Sequence, residues 1–334
     1  MSAELRVSTP GRAAVTDLGR HRGPGVGLPV NGALDQYSAR AANILVGNDE
    51  SAALIEALAF DIAFVPTADI LIAVTGADMV LTVDGAERPM WEPVPVAAGQ
   101  LVALSDMVGG MRTYVAVHGS FDVPTLLDSC APDPAVGFGT LFEADAAIAL
   151  RQSTAAPVNP YFGLSLFNLG VDRPYLGDTA FIDVTDGPDI DEFAQTADVL
   201  FDAPYAVSTR SNQVGLRLTG TLPRRESTHE MISRGVPVGA VEVPPGDELL
   251  VLHRGRGVTA GYPVLAVVTS TSLDTLGQAR PETAVTFRRV SLEQAARDAR
   301  VWRERLDALR DRVATVFACL GVEAAAPASS GAGS

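Results

Sequence analysis

The sequence predicts an all-β chain of two domains that is followed by one long C-terminal helix. Short runs rich in β-branched residues recur roughly every ten residues, a spacing that fits a sandwich or barrel better than alternating strands and helices. A length of 334 residues exceeds that of most single domains. Only near the C-terminus do apolar residues repeat in steps of three and four, as a long helix requires.

The first domain is predicted over residues 1–158. Its strand-like runs include residues 70–74, 80–83, 101–104 and 113–117. Asp84 and Gly85 both tolerate a positive φ, so this pair predicts a tight hairpin turn after Val83. One helix is expected over residues 35–47, because apolar side chains return there at helical spacing.

The second domain is predicted over residues 159–290. Residues 151–175 are polar and broken by proline, which is typical of a boundary between domains. The strand pattern then resumes at residues 216–218, 249–252 and 265–268.

The C-terminal helix is predicted over residues 291–321, with a capping box at Ser291 and a stop at Gly321. Its apolar stripe consists of Ala295, Ala299, Trp302, Leu306, Leu309, Val313, Val316 and Leu320. The stripe can pack on the chain's own barrels, which we favour, or against a second chain. Residues 322–334 are rich in alanine, serine and glycine and are expected to be disordered.

Composition excludes several function classes. The net charge of −15 disfavours a nucleic acid or an anionic membrane as partner. All 25 basic residues are arginine, so this chain has no lysine to carry covalent biotin or lipoate. The four histidines lack metal-ligand spacing, and no metal site is predicted. No apolar run is long enough to span a bilayer and no signal peptide is visible, so we expect a cytoplasmic protein.

The polar residues with the strongest functional pattern lie in residues 210–263. Arg210, Arg217, Arg254 and Arg256 are candidates for an anion-binding set, and surface charge is the alternative. Asn212 precedes Gly215, an arrangement that allows close approach of a ligand or simply forms a turn. Glu226 and Glu242 are candidate acids or bases, but no spacing pairs them, so both are expected on a solvated face.

Ordered motifs in both halves of the chain carry a family resemblance. They are Asp17-x-Gly19-Arg20, residues 27–35, residues 42–48, Glu56, residues 75–77, residues 122–124, Ser211-Asn212-x-x-Gly215-x-Arg217-Leu218, Glu226, Gly235-Val236-Pro237, Val243-Pro244, Thr259-x-Gly261-Tyr262-Pro263 and Leu276-Gly277-Gln278. In these residues the chain resembles the allophanate hydrolase subunit 2 or KipA-like family. That family includes the C subunit of 5-oxoprolinase and part of the carboxyltransferase region of biotin-dependent urea carboxylase.

The resemblance implies two cyclophilin-like β-barrel domains and a C-type subunit of an ATP-dependent 5-oxoprolinase-like complex. Such a complex opens the lactam of 5-oxoproline to glutamate, and its C-type member is expected to be inactive without its partners. ATP would be used in the complex. The implied partners are a KipI-type or allophanate hydrolase subunit 1-like protein and a third subunit of the lactam-utilisation type.

The resemblance also assigns roles to individual residues. Asn212, Arg217 and Tyr262 are the expected catalytic residues. Substrate or phosphate would bind to Arg210, Arg256, Thr259 and Glu226.

Two other functions stay open. One is a carboxyltransferase or allophanate hydrolase subunit of a biotin-dependent, urea-degrading system. The other is a non-catalytic regulatory subunit that binds a KipI-type partner.

The sequence departs from the family pattern near the expected site. Arg234 stands where relatives usually have glutamate, and Glu242 stands where they usually have glutamine. Residues 255–264 lack the usual acidic and amide side chains, and Val264 replaces a lysine. Arg256, Thr259 and Tyr262 are retained there. Altered specificity or weak activity is therefore expected.

Overall fold

A computed structural model describes residues 3–152, 168–227 and 229–322. Two compact units divide the chain. The first consists of Met1–Gly19, Gln36–Pro174 and Arg303–Ser334, and the second of Arg20–Asp35 and Tyr175–Trp302. The early segment Arg20–Asp35 thus belongs to the second unit, although the sequence pattern predicts it in the first domain. The predicted boundary at residue 158 lies outside the described residues, as does nearly all of the predicted tail.

The first unit is built on one ten-stranded antiparallel sheet, a helix near the N-terminus and most of the C-terminal helix. Its strands are β1 (Glu4–Thr9), β2 (Ala13–Thr16), β3 (Leu54–Leu58), β4 (Ile62–Pro66), β5 (Ile70–Val83), β6 (Ala86–Arg88), β7 (Pro93–Val96), β8 (Val102–Val117), β9 (Thr140–Leu141) and β10 (Ala147–Ala149). The main order is β10-β1-β4-β8-β3-β2-β9, and β5 pairs with β6, β7 and β8. Helix α1 (Gln36–Leu45) packs on β5 and β8.

The predicted turn and helix of the first unit are both confirmed. Asp84 and Gly85 have φ values of 49° and 76° and connect β5 to β6, with Val83 opposite Ala86. Both turn residues thus adopt the left-handed conformation that this hairpin type requires. Helix α1 lies within the predicted residues 35–47, and its apolar side chains are buried.

The second unit contains a closed barrel of seven strands. The strands of this unit are β11 (Thr179–Asp186), β12 (Tyr205–Val207), β13 (Gly215–Thr219), β14 (Arg234–Gly235), β15 (Ala240–Glu242), β16 (Glu248–Leu252), β17 (Thr259–Ala260), β18 (Val264–Val268) and β19 (Ala284–Arg289). The barrel order is β11-β18-β15-β16-β13-β12-β19, and the parallel pair β19–β11 closes it. Strands β14 and β17 form a separate two-stranded ribbon.

Short helices complete the second unit. They are α2 (Val199–Asp202), α3 (Ser272–Gln278) and the 3-10 turns Gly23–Val26 and Ile190–Phe193. Inside the barrel, Val241, Leu249 and Val251 belong to the main apolar core. The closed barrel and the large antiparallel sheet confirm the predicted all-β class with barrel-type domains and a C-terminal helix. No helix in the described ranges is long and apolar enough to cross a membrane.

The C-terminal helix α4 (Leu292–Leu320) ends directly before Gly321, the predicted stop, which has a φ of 67°. In the first unit it buries Leu306, Leu309, Val313 and Phe317. This stretch therefore packs on its own chain, the alternative that we favoured.

The predicted stripe was wrong at its C-terminal end. Leu320 is 47% exposed, and Phe317 is buried in its place. Steps of three, four and four residues follow the 3.6-residue period of a straight helix more closely than a strict 3.5-residue repeat. Phe317 lies over Gly47, where a Cβ atom would come within 2.8 Å of the ring. Gly47 has a φ of 73°, which also favours glycine.

A carboxylate surrounded by three arginines anchors α4 in the first unit. Glu50 accepts hydrogen bonds from Arg303 at 2.9 and 2.7 Å and from Arg310 at 2.5 Å, and it also pairs with Arg40. Burial raises the pKa of Glu50, but the Arg303 hydrogen bond and the charges of all three arginines outweigh burial and lower it. The ion pairs thus stabilise the folded state above the ordinary glutamate pKa.

We predict that Glu50→Gln lowers the free energy of unfolding at neutral pH by about 1–2 kcal/mol, since several charge-assisted bonds are lost. Urea unfolding would measure it, with exposed Glu304→Gln on the same helix as the control. A lowered pKa gives stability that is lost as pH falls through it, so wild type and variant should converge in acid. An equal difference at all pH values would contradict this explanation.

Candidate functional site

The second unit contains all the predicted site residues, but they do not form one cluster. Arg210 and Arg217 both contact Oε2 of Glu248, with nitrogen–oxygen distances of 2.7 and 3.6 Å. The Glu248 side chain is 6% exposed, whereas those of the two arginines are 64% and 42% exposed. Both arginines therefore form ion pairs with a buried carboxylate, and both guanidinium groups are partly exposed to solvent.

Asn212 and Glu226 hold the backbone locally. The side-chain oxygen of Asn212 accepts a hydrogen bond from the Val214 amide at 2.9 Å, which makes a turn before β13. Glu226 accepts a hydrogen bond from the Gln195 amide at 3.1 Å. Both side chains are exposed. Asn212 was predicted either to allow close approach of a ligand or to form a turn, and the structure shows the turn. Because this contact uses only the side-chain oxygen, the NH2 group of Asn212 is the donor that it can offer to a ligand.

Arg256, Thr259 and Tyr262 lie on or beside the β14–β17 ribbon. Arg256 is 7% exposed and donates from Nε to the Val236 carbonyl at 2.9 Å. Burial lowers the pKa of its guanidinium. Thr259 pairs with Gly235 within the ribbon, and Tyr262 is 42% exposed just before β18. Arg256 thus connects backbone segments, while Tyr262 offers a hydroxyl to solvent.

Glu242 is the residue whose predicted environment was wrong. It is 1% exposed rather than solvated, and neither carboxyl oxygen has a hydrogen-bond partner in the described part of the chain. Burial raises the pKa of Glu242 to about 7, although the nearby positive charge of Arg234 opposes this shift. A carboxyl group in this environment is largely neutral below that pH and is able to exchange a proton near neutrality.

The ribbon explains why Glu242 is buried. Val241 points into the barrel, so Glu242 belongs to the outer face, where an alternating pattern predicts solvent. The ribbon region covers this face. Val236 packs there with Ala240 and Val264, and Ala260 lies against the same cluster. Strand alternation predicts which face of the sheet a side chain lies on, but it does not predict whether a second layer covers that face.

One row of side chains crosses four strands on this outer face. Arg217 lies opposite Leu250, Leu250 opposite Glu242, and Glu242 opposite Val264. Directly opposed residues face the same side of a sheet, and neighbouring strands are about 4.8 Å apart. The Cα atoms of Arg217 and Glu242 are therefore about 10 Å apart. The row combines an exposed cation with a buried neutral acid.

A second carboxylate beside the row has its partners. Asp189 accepts a hydrogen bond from the Val264 amide at 2.7 Å and pairs with Arg234. Three departures from the family pattern, at Arg234, Glu242 and Val264, thus meet in one place. We name the Glu242 carboxyl, Asp189, Arg234 and the β14–β17 ribbon above them the Glu242 site.

A pocket in the first unit was not predicted as a site, although residues of three family motifs, Asp17, Asn48 and Val123, line it. It has a volume of about 280 Å³, and its lining includes Asp17, Ser51, Cys130 and Arg151. Asp17 accepts hydrogen bonds from the Ser129 hydroxyl and the Cys130 amide, both at 2.7 Å. Burial raises the pKa of the Cys130 thiol well above its usual range, which disfavours a nucleophilic thiolate. No cluster suited to a metal ion occurs among the described residues.

Comparison with known proteins defines the family. The model of the carboxyltransferase domain, subdomain A and B, matches residues 26–289, and the chain belongs to this family. The C subunit of 5-oxoprolinase from Escherichia coli (strain K12) is 32% identical, with 84% of this chain and 89% of the relative aligned. The Haemophilus influenzae protein of the same name is 29% identical, over 90% of this chain and 95% of the relative.

Solved structures agree with this assignment. TTHA0988 superposes with a TM-score of 0.75 and 31% identity over 86% of this chain, which spans only 55% of that longer protein. The urea carboxylase of Kluyveromyces lactis gives a TM-score of 0.82 over 92% of this chain and 29% of its own length. At 23% identity this likeness shows the shared fold alone. The predicted family is confirmed.

We predict that Glu242→Gln stabilises the protein most at alkaline pH. The raised pKa means that the stability linked to a protonated Glu242 is present in acid and is lost as pH rises through about 7. The advantage of the variant over wild type should grow by about 2 kcal/mol between about pH 5.5 and about pH 8.5. Thermal and urea unfolding at both pH values would measure it.

The control for this measurement is Glu230→Gln, an exposed substitution in the same unit. It should change stability equally at the two pH values. An advantage of Glu242→Gln that does not vary with pH would show that Glu242 is already charged in acid.

Proposed function

We propose that this chain is the C-type subunit of an ATP-dependent 5-oxoprolinase-like complex that opens the lactam of 5-oxoproline to glutamate. The extent of the matches carries this proposal. Two 5-oxoprolinase C subunits align over 89% and 95% of their lengths. The urea amidolyase of Saccharomyces cerevisiae aligns over only 16% of its own length. A separate subunit of similar extent is the better comparison.

The chemistry requires coupling to ATP, because an unstrained amide resists hydrolysis. Phosphorylation of the amide oxygen would make the carbonyl carbon electrophilic enough for water to attack. The C–N bond then breaks and the nitrogen takes a proton, which leaves the acyl phosphate of glutamate and ADP. A second water hydrolyses this acyl phosphate to glutamate and phosphate. Such a reaction needs cations for the phosphoryl oxygens and neutral donors that orient the amide.

The second unit offers groups for these tasks. Arg217 is the proposed cation for developing phosphate or carboxylate charge, since its side chain is 42% exposed and its contact with Glu248 is the longer of the pair. Arg210 would assist it. The Asn212 amide and the exposed Tyr262 hydroxyl would orient the substrate.

The remaining predicted residues would hold the backbone around the substrate in place. Arg256 and Thr259 would support the ribbon beside the substrate, because one binds the Val236 carbonyl and the other pairs with Gly235. Glu226 would keep the segment before the ribbon in place through the Gln195 amide. The protein would work in the cytoplasm with a KipI-type partner and a third, lactam-utilisation-type subunit, and ATP would be bound in that complex.

A carboxyltransferase role in a urea-degrading system is the second candidate. The family description and the shared fold of urea carboxylase favour it. Since the chain contains no lysine, a biotin carrier would have to be another polypeptide. Neighbouring genes for a biotin carboxylase and its carrier would support this alternative.

The decisive assay is co-expression with the neighbouring subunits, followed by measurement of glutamate released from 5-oxoproline. We expect release only with ATP and only from the assembled complex. An assembled complex that carboxylates urea with biotin, or one that has no turnover, would contradict the proposal. Tight partner association without binding of ATP or 5-oxoproline would indicate the regulatory role instead.

In the assembled complex, we predict that Arg217→Ala lowers kcat/KM by about 100-fold, the usual cost of removing a group that stabilises transition-state charge. Asn212→Ala should lower it less, by about 10-fold. Exposed Arg224→Ala, in the same unit, is the matched control and should leave turnover unchanged. Full turnover in both site variants would show that the predicted site is wrong.

A further inference from the structure

The Glu242 carboxyl has an unused hydrogen-bonding capacity. Its residue is 1% exposed, and neither oxygen has a partner in the described ranges. A buried polar group without partners destabilises a fold by about 1–3 kcal/mol. Native proteins rarely retain such a group unless it serves a ligand, a water molecule or a reaction.

The neighbouring charges do not satisfy this capacity. Arg234 on β14 forms its ion pair with Asp189, whose carboxylate also accepts the Val264 amide. Arg217 on β13 reaches Glu248 rather than Glu242. The ribbon strand β17 contains only Thr259 and Ala260, which do not titrate, and the buried Arg256 beside the ribbon donates its Nε–H to the Val236 carbonyl. Glu242 therefore remains an acid without a hydrogen-bonded base.

A neutral carboxylic acid has a specific complement. It presents one acceptor, the C=O group, and one donor, the O–H group, along the same edge. An amide that is held cis by a ring presents an N–H donor and a C=O acceptor along one edge in the same way. A lactam or a cyclic urea can thus form two parallel hydrogen bonds with it. An open-chain secondary amide is trans and cannot.

Access to Glu242 requires only a small part of the fold to move. The ribbon above it contains two residue pairs, Arg234 with Ala260 and Gly235 with Thr259. Such a short ribbon is marginal without its packing. Its main packing is the small apolar cluster that includes Val236 and Val264. A cis-amide ligand that enters there would replace an unsatisfied carboxyl with a paired one.

We propose that Glu242, as the neutral acid, is a substrate-binding residue that pairs with the cis-amide edge of a lactam beneath the β14–β17 ribbon. This inference rests on the proposed lactam chemistry and adds a residue that sequence patterns assigned to solvent. The raised pKa supports it, because it keeps the carboxyl protonated up to about pH 7.

Titration calorimetry of the full chain with 2-pyrrolidinone and 5-oxoproline tests the inference directly. A ligand that requires protonated Glu242 should bind about 30-fold more weakly at about pH 8.5 than at about pH 6. Glu242→Gln retains a donor and an acceptor on one edge but does not titrate. It should bind with similar affinity at both pH values.

Two controls separate recognition from folding. Glu242→Leu fills the same space without hydrogen bonds and should stay folded in thermal unfolding but lose binding. N-methyl-2-pyrrolidinone lacks the N–H donor and should not bind to the wild type. Binding of the methylated lactam, loss of binding in Glu242→Gln, or a wild-type chain that binds no lactam would each overturn the inference.

The outcomes also separate this inference from the proposed function. Suppose that the complex hydrolyses 5-oxoproline while Glu242→Leu binds lactams as the wild type does. The function then stands and the role of Glu242 falls. If the chain binds lactams with the expected pH dependence but the complex releases no glutamate, the binding site stands and the hydrolytic function falls.

Discussion

The closed barrel of the second unit determines which side chains share its outer face. Because each strand pairs on both sides, the register of β13, β16, β15 and β18 places Arg217, Leu250, Glu242 and Val264 in one row. The interior positions between them are filled by the main apolar core. Glu242 therefore cannot turn inward, and the ribbon region prevents it from reaching water. Its unusual protonation follows from these two restraints.

The positions that differ from the family pattern lie close together on this outer face. The family pattern that the sequence resembles has glutamate, glutamine and lysine where this chain has Arg234, Glu242 and Val264. In this chain a positive charge lies on the ribbon, where Arg234 pairs with Asp189. At position 242 this chain has a carboxylic acid, and burial raises its pKa to about 7. A neutral acid and a primary amide both place a donor and an acceptor on one edge, so the substitution preserves a hydrogen-bonding pattern.

Local signals in the sequence were sufficient for the elements and the family. Asp84-Gly85 predicted the hairpin, the apolar spacing of residues 35–47 predicted α1, and Gly321 predicted the end of α4. Residues whose environment depends on distant segments could not be placed. Glu242 was expected in solvent because the residues around it give no sign of the ribbon that covers its face. The two ribbon strands come from segments before and after its own strand. Phe317 is buried where Leu320 was expected to be, and its ring packs over Gly47, which is far away in the sequence.

The proposed role of Glu242 requires a buried carboxylic acid that is still protonated near physiological pH, and the alternative is an ordinary ionised carboxylate. Infrared difference spectroscopy can observe this protonation state. Spectra of wild type minus Glu242→Gln, recorded across pH, isolate the carbonyl stretch of this one protonated carboxyl. We expect this band to persist through mildly acidic pH and to disappear with a midpoint of about 7. A midpoint near the ordinary glutamate value of 4.5 would contradict a neutral, buried acid at this position.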